Sequence, residues 1–151
     1  MKKNIFSVIL FIFVSFSLSA GNTTSKNSKV ENGYEIHYNA FSTDFLTKDV
    51  AKSYQIGRSK TKGMINIAVL KQQQDGVSTA VEANITLKAQ NLYGQNKSIT
   101  LRKISENDGA IYYIGTFSVS SRETINFKAS VLANGARSPI EIKFSQEFFT
   151  N

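Results

Sequence analysis

The amino-acid sequence predicts an all-β fold: an antiparallel, immunoglobulin-like β-sandwich of about seven strands with one short helical insert. One observation behind this prediction is the alternation of apolar and polar residues, which runs unbroken over 81–90 and is typical of a strand with one buried face. Another is the set of turn dipeptides between alternating segments, at Asp75-Gly76, Asp108-Gly109 and Asn134-Gly135. The chain lacks the Cys-Trp-Cys framework of true immunoglobulin domains, so only the architecture is predicted.

The N-terminus, MKKNIFSVILFIFVSFSLSAGN, has the parts of a secretory signal peptide. Two lysines precede an apolar segment at 5–18, and small residues follow it, so we expect cleavage between Ala20 and Gly21. The apolar segment is shorter than the ~20 residues that a membrane-spanning helix requires. Gly21 stands where a lipoprotein would carry a cysteine. These features predict a periplasmic protein that has no lipid anchor once residues 1–20 are removed.

The composition narrows the classes of partner. The chain has no cysteine, so an exported protein of this sequence has no disulfides, which suits a bacterial envelope. The net charge falls from +7 to +5 when Lys2 and Lys3 leave with the signal peptide. A modest positive charge favours anionic partners, although it is also ordinary for an exported protein. The predicted compartment argues against a nucleic-acid partner, and the sequence has no helix-turn-helix or zinc-finger pattern.

The remaining chain divides into a short leader and one domain. Residues 21–32 are small and polar and are predicted to be flexible, whereas residues 33–151 are predicted to form a single β-sandwich domain. The alternating segments predict strands at 34–41, 64–71, 80–92, 98–104, 110–119, 125–131 and 139–147. The alternation breaks at Arg102-Lys103, which predicts a bulge or a strand end. Pro139 opens the last strand, where its missing N–H costs little.

One segment between the first two predicted strands has helical periodicity. Thr47 can cap a helix over 48–55, and Gly57 can end it. Three apolar residues recur every fourth position on one side of this helix: Leu46, Val50 and Tyr54. A helix of about two turns is not stable alone in water, so its apolar stripe must pack on the sandwich. We therefore expect a lid over one open end of the core.

Five stretches of the sequence carry a resemblance to a known family: HYNAF (37–41), FLTKDVAKSYQIGRSK (45–60), INIAVL (65–70), AIYYIGTF (110–117) and FSQEFFT (144–150). Together they resemble a family of small exported proteobacterial proteins, the domain of unknown function 4426. The resemblance covers nearly all of the chain after the signal peptide, and HYNAF and RSK are its most specific parts. It implies a periplasmic β protein of one domain. It implies no activity and no catalytic residues.

His37 is the first candidate for chemistry, because imidazole titrates near neutral pH and serves in acid–base and metal sites. By alternation it shares a strand face with Glu35 and Asn39, and Asp44 follows soon after. A pair of His37 and Asp44 beside a serine would be a small hydrolytic site. The sequence has no G-x-S-x-G motif and no second histidine or cysteine to complete a metal site. We therefore expect no catalytic residue, metal or cofactor, and predict a histidine hydrogen-bonded at the strand end that positions the following loop.

Arg58, Lys60 and Lys62 form a basic run ahead of the second predicted strand. If that strand extends backwards from Met64, the three cations alternate onto one face. Such a face would suit a phosphate, a carboxylate or an acidic protein surface. The sequence has no P-loop motif, so nucleotide binding is not supported. We favour the other interpretation, in which these cations protect an edge strand from pairing with another sheet.

The segment Tyr112-Tyr113-Ile114 is apolar on both strand faces, which predicts a central or covered strand. Either the helix covers Tyr112 and Ile114, which we favour, or the two residues form an exposed binding patch. Gly115 interrupts the inward row and leaves room for a close neighbour such as a Tyr or Phe ring. Phe148 and Phe149 near the C-terminus are expected to close the core.

These features favour a non-enzymatic periplasmic binding or accessory module that interacts with a protein or an anionic envelope component. Its predicted binding residues are His37, Asn39, Tyr54, Arg58, Lys60, Lys62 and Tyr112. Two alternatives are a small periplasmic hydrolase that uses His37 with Asp44, and a carrier that holds a small apolar ligand between two sheets. A carrier requires a large dry cavity, whereas the chain offers bulky Ile, Val and Phe side chains for the core.

Overall fold

The computed structural model describes residues 27–150. The predicted signal peptide 1–20, its cleavage site between Ala20 and Gly21, and the first part of the predicted leader lie outside the described residues. The strands of the described chain are β1 (Ser28–Glu31), β2 (Tyr34–Ser42), β3 (Lys62–Gln72), β4 (Ser78–Ala80), β5 (Ala83–Asn91), β6 (Arg102–Ser105), β7 (Ile111–Ser118), β8 (Glu123–Ala133) and β9 (Ile140–Phe148). A 3₁₀ turn (Thr43–Phe45) and helix α1 (Lys48–Ser53) lie between β2 and β3.

The strands form two antiparallel sheets, which confirms the predicted all-β sandwich. Sheet one has the order β1-β2-β3-β7-β6, and β4 pairs with the C-terminal end of β3. Sheet two has the order β5-β8-β9. The glycines of the predicted turns Asp75-Gly76, Asp108-Gly109 and Asn134-Gly135 all have positive φ, as tight hairpin turns require.

The main core lies between the two sheets and is formed by the inward-facing side chains of the alternating strands. The apolar inward residues of β8 illustrate the pattern, since all of them are buried: Ile125, Phe127, Ala129, Val131 and Ala133. Aromatic rings fill much of the space between the sheets. Phe127 stacks on Phe144 with 4.7 Å between ring centroids. Phe117 meets Phe148 edge-on at 5.5 Å.

β1 corrects the prediction that residues 21–32 are a flexible leader, because Ser28–Glu31 pairs in register with β2. Alternation does not reveal this strand, since SKVE is short and mostly polar. Asn32 and Gly33 close the hairpin with positive φ at both positions, 54° and 79°, which matches a type I′ turn. β4 has only three residues and also escapes the pattern. The described strands therefore number nine, where the sequence predicts about seven.

Helix α1 begins as predicted, with Thr47 Oγ1 accepting a hydrogen bond from the main-chain N–H three residues later. It ends earlier than predicted, at Ser53, because Gln55 and not Gly57 takes the left-handed conformation, with φ of 55°. The N–H of Ile56 then donates to a carbonyl of the last helical turn at 2.8 Å, as in a Schellman ending.

Helix α1 covers the outer face of sheet one and not an open end of the core, which corrects the predicted position of the lid. A second apolar cluster lies beneath it, made of Leu46, Val50, Ala51, Ile56, Met64, Ala68, Tyr112 and Ile114. Met64 and Ala68 alternate along β3 with residues of the main core, so β3 is buried on both faces. Tyr112 and Ile114 are only 5% and 3% exposed, so the favoured prediction that the helix covers them is confirmed.

Three details of the later strands differ from prediction. The strand predicted at 98–104 is limited to β6, so Arg102-Lys103 begins a strand instead of ending one. The close neighbour of Gly115 is Ile99 and not an aromatic ring: a Cβ at Gly115 would lie 2.5 Å from Ile99 Cγ2. Phe148 is buried, but Phe149 is 57% exposed, because it follows the end of β9.

Candidate functional site

His37 lies in the middle of β2, on the outer face of sheet one, and not at a strand end as predicted. Its Nε2 lies 3.1 Å from Oε1 of Glu35, which is two residues away on the same face. Asp44 lies beyond the end of the strand, in the 3₁₀ turn. The strand rises roughly 16 Å between His37 and Ser42. The structure therefore does not bring His37 and Asp44 together, and a carboxylate that contacts His37 is that of Glu35.

The loop that carries the basic run is fastened to the end of β2 through Thr43. Thr43 is fully buried, and its Oγ1 accepts a hydrogen bond from Ser59 N and donates one to Gly57 O, both at 2.9 Å. Arg58 Nη2 donates to Asp44 O at 2.7 Å across the same corner. These bonds hold the loop against β2 and leave cationic side chains at the surface.

β3 extends backwards from Met64 only as far as Lys62, so it does not reach Lys60 or Arg58. The bonds of Thr43 hold the preceding loop outside the sheet. Arg58 and Lys60 are exposed in that loop, whereas Lys62 is half-buried at the first strand position. The three cations therefore do not form a row on one strand face. Edge protection does not explain Lys62 either, since β3 is a central strand between β2 and β7.

Polar contacts of Tyr54 fix the helical lid. The Tyr54 hydroxyl donates to the carboxylate of Glu106, and the Tyr54 carbonyl accepts a hydrogen bond from Arg102. Burial, the hydrogen bond to Glu106 and the negative charge of Glu106 raise the pKa of Tyr54 well above its ordinary value. Burial and the charges of Asp108 and Glu106 also raise the pKa of Tyr112. Both tyrosines are held neutral, and the burial of Tyr112 removes it from the accessible surface.

Two asparagines next to helix α1 form a pair that the sequence pattern does not predict. Asn39 of β2 and Asn66 of β3 are register partners on the outer face of sheet one. Asn66 is 2% exposed, and the Oδ1 atoms of both residues are buried without a hydrogen-bond partner among residues 27–150. A buried acceptor left unpaired costs about 1–3 kcal/mol. Asn66 lies on the same face of β3 as Met64 and Ala68. This face is buried because helix α1 covers it.

Among residues 27–150, no strand pairs with the second half of β2 at the outer edge of sheet one. β1 pairs with β2 only over 34–37, and Asn27 O accepts one further hydrogen bond from Tyr38 N at 2.9 Å. Alternate residues of an antiparallel strand direct their main-chain groups to the same side. Ala40 and Ser42 therefore direct theirs to the side where β1 has ended. No described residue pairs with β2 at these two positions on that side.

A groove of about 610 Å³ runs along this open edge, between β2 and the edge strand β9 of sheet two. Its described lining consists of Asn27, Asn39, Ala40, Phe41, Phe45, Lys143, Phe144, Ser145 and Gln146. Phe45 lies at the groove with 79% of its surface exposed. Lys143 is the one charged residue of the described lining. Nearby, Lys29 Nζ donates to Glu141 O at 2.8 Å, which links β1 to β9.

Two chemical features are absent from the part of the chain that the structure describes. No three His, Asp or Glu side chains among residues 27–150 come together in a way that could hold a metal ion. No helix within the same residues is long and apolar enough to cross a membrane. The fold and the site together define an all-β sandwich whose larger sheet carries a helical cover and, beside it, a strand edge that is unpaired among residues 27–150.

The chain belongs to the DUF4426 family, a domain of unknown function, because the family model matches residues 28–151. This match confirms the resemblance seen in the sequence. Among solved structures, the chain is similar to the crystal structure of a DUF4426 family protein from Pseudomonas aeruginosa PAO1, with 32% sequence identity and a TM-score of 0.67. The match covers 82% of this chain and 94% of the other. Comparison with curated proteins gives no match.

Proposed function

We propose that this protein is a non-enzymatic binding module of the bacterial periplasm that takes up an extended segment of a partner protein along the open edge of β2. The observation that carries the proposal is the main chain of Ala40 and Ser42, which faces the groove side with no strand partner among residues 27–150. An added strand would pair its own N–H and C=O groups with these positions. Exposed sheet edges commonly bind peptides in this way.

The lining of the groove indicates the chemistry of the segment. Phe41, Phe45 and Phe144 offer apolar contacts, and an extended peptide presents every second side chain to one face. Lys143 lines the groove, and Arg58 is bonded to the corner beside Phe45. These cations favour a segment with acidic residues. The proposed partner segment is therefore extended, apolar at alternate positions, and carries at least one carboxylate.

The two alternative functions have less support. The hydrolase needs His37 and Asp44 in contact, yet roughly 16 Å of strand lies between His37 and the turn that holds Asp44. The carrier needs a dry space between the sheets, where Phe117, Phe127 and Phe144 are packed.

Export to the periplasm is part of the proposal and is supported by the N-terminal sequence alone. Fractionation of cells that express the full chain is expected to place the protein in the periplasmic fraction. Its mass is expected to be that of a chain beginning at Gly21. A cytoplasmic protein that retains residues 1–20 would contradict this part of the proposal.

A peptide selection tests the binding proposal. Displayed random peptides of about ten residues, enough to span a strand of this length, would be selected on the purified chain that starts at Gly21. Fluorescence polarisation then measures the affinity of the selected peptides. We expect alternating apolar residues with carboxylates, and an affinity about tenfold weaker for the variant Ala40→Pro. That variant removes the N–H directed at the groove and no hydrogen bond to β3.

Two exposed phenylalanines provide the matched control for this selection. Phe45→Ala is expected to weaken the selected peptides, whereas Phe149→Ala, at an exposed position outside the groove lining, is expected to leave their affinity unchanged. Peptides that bind Ala40→Pro as well as the wild type would rule out strand addition at this edge. A parallel titration of a chain that starts at Asn27 shows whether residues 21–26 compete with the peptides.

A further inference from the structure

The outer face of sheet two carries a row of three lysines. Lys88 of β5 is the register partner of Lys128 of β8, and Lys128 is in turn the register partner of Lys143 of β9. Residues directly opposite each other in neighbouring strands have Cβ atoms about 5 Å apart. The three side chains therefore lie next to one another across the full width of the sheet. Like charges in this arrangement destabilise a sheet.

Protection of the sheet edges explains only two of the three lysines. β5 and β9 are the edge strands of sheet two, where a lysine hinders pairing with another sheet. β8 is the central strand, so Lys128 has no edge to protect. A residue that breaks a local rule without a structural benefit is expected mainly at functional sites.

A row of uncharged polar residues lies next to the lysines on the same face. Gln90, Asn126 and Ser145 are register partners across the same three strands. Ser145 Oγ donates to Asn126 Oδ1 at 2.6 Å, which orients the Asn126 amide. These two rows line an open depression of about 600 Å³. The depression thus combines three ammonium groups with amide and hydroxyl groups.

The row remains positively charged despite one acidic neighbour. Glu141 Oε2 lies 3.7 Å from Lys128 Nζ. A hydrogen bond from Ser130 and the positive charges of Lys128 and Lys143 lower the pKa of Glu141, so this carboxylate is ionised at neutral pH. One negative charge beside three positive charges leaves an excess of cations.

We propose that Lys88, Lys128 and Lys143 form a binding site for a soluble ligand that carries adjacent phosphate groups. A linear row of ammonium groups matches a linear anion, because neighbouring lysines can each donate charge-assisted hydrogen bonds to phosphate oxygens. Asn126 and Ser145 supply further polar contacts beside the row. The site lies on the outer face of sheet two and does not rest on the peptide-binding proposal. Lys143 also lines the groove, so the decisive variants alter Lys88 and Lys128.

Isothermal titration of the chain from Gly21 with inorganic pyrophosphate at low ionic strength tests the proposal. Lys128→Gln and Lys88→Gln are each expected to weaken binding about tenfold, since each removes one charge-assisted contact. The matched control is Lys48→Gln, which makes the same charge change at an exposed residue of α1. It is expected to bind like the wild type. Chemical shift changes on titration are expected at the main-chain amides of Asn126 and Lys128.

Three results would overturn the proposal. In the first, Lys128→Gln binds pyrophosphate with the wild-type affinity. In the second, Lys48→Gln weakens binding as much as Lys128→Gln, which would reduce the effect to net charge. In the third, wild-type protein does not bind pyrophosphate but sediments with phosphatidylglycerol vesicles in a manner that requires Lys128, which would identify a membrane surface in place of a soluble phosphate. None of these results bears on the peptide selection at β2.

Discussion

Helix α1 lies across the outer face of sheet one, whereas the outer face of sheet two is open to solvent. Beneath the helix, Met64, Tyr112 and Ile114 are buried in a second apolar cluster. On the outer face of sheet two, Lys128 and Lys143 occupy equivalent outward positions and are exposed. Both sheets nevertheless supply the same kind of inner face to the main core.

The difference shows that the outer face of each sheet determines whether the sandwich needs a further covering layer. β3 has consecutive buried residues, whereas β8 alternates between buried and more exposed ones. Apolar area left in water costs roughly 25 cal/mol per Å². A sheet with two apolar faces therefore requires a cover, and the short helix of this chain supplies it. A sheet with one polar face leaves that face free to carry charge.

The largest expected effect comes from making the same substitution on the two outer faces. Leu46 is 3% exposed under the helix, whereas Leu132 is 38% exposed on the outer face of β8. Leu46→Ala is expected to lower the free energy of unfolding by about 2–5 kcal/mol, because it leaves a cavity. Leu132→Ala is expected to change it by less than about 1 kcal/mol. Urea denaturation of both variants measures the difference, and similar losses would show that the two faces are not distinct.

A loss of folding stability in acid is expected to arise within sheet two, at Glu123 of β8. Burial raises the pKa of Glu123, but hydrogen bonds from Lys97, Asn91 and the main-chain N–H of Ser120 outweigh burial and hold that pKa below its usual value. A lowered pKa in the folded state adds stability above the unfolded pKa and loses it as pH falls through the folded pKa. Glu123→Gln should therefore be less stable than the wild type at pH 7 and approach it in acid.

Melting temperatures measured between about pH 3 and pH 7 test the role of Glu123, since glutamate titrates in this range. The two curves are expected to converge as pH falls. A constant difference between wild type and Glu123→Gln over the whole range would contradict a role for its ionisation.

Alkaline sensitivity is expected in the lid of sheet one. The pKa of Tyr54 is raised, so its neutral form stabilises the folded state below the unfolded pKa of about 10, and this contribution is lost as pH rises through the folded pKa. Tyr54→Phe should be less stable than the wild type at pH 8, because Glu106 loses its hydrogen-bond donor. The difference should shrink in strong alkali.

Urea midpoints at pH 8 and at higher pH measure this change. Tyr93→Phe is the matched control, because Tyr93 is 91% exposed. Tyr93→Phe is expected to follow the wild type at every pH. If Tyr54→Phe also has the urea midpoint of the wild type at every pH, the hydrogen bond to Glu106 does not stabilise the packing of the lid.

The smallest expected effect is a gain in stability on the open face of sheet two. Lys128→Gln removes the middle charge of the lysine row and with it two repulsions between directly opposed lysines. The ion pair with Glu141 is exposed and contributes little. We expect a gain of less than about 1 kcal/mol that fades as salt is added. Urea denaturation at low and high salt measures it, and a loss of stability would show that Lys128 has a structural role.

Local patterns in the sequence predict local structure well. Alternation correctly places Ile125, Phe127 and Val131 on the inner face of one strand, because the side-chain period of a strand is two residues. The N-cap at Thr47 is also correct, since it depends on a bond to a residue three positions away. The end of the helix is missed, because the left-handed position is taken by Gln55.

Most of the candidate site depends on contacts between distant segments. Arg58 and Lys60 of the basic run do not join β3, because a hydrogen bond between Ser59 and Thr43 holds their loop at the corner. Neither the pairing of Asn39 with Asn66 nor the lysine row can be found without the strand register. The edge of β2 that is unpaired among residues 27–150 depends on how far β1 pairs along it.

By itself, the sequence determined the all-β class, the inner face of most strands and the presence of one capped helix, because these features depend on neighbours a few residues apart. Only the tertiary structure decided that the helix covers the outer face of sheet one, that the end of β2 has no strand partner among residues 27–150, and that Lys88, Lys128 and Lys143 form one row. These features depend on which strands are neighbours and in what register. The residues that meet there are far apart in the chain, so no short pattern records their contact.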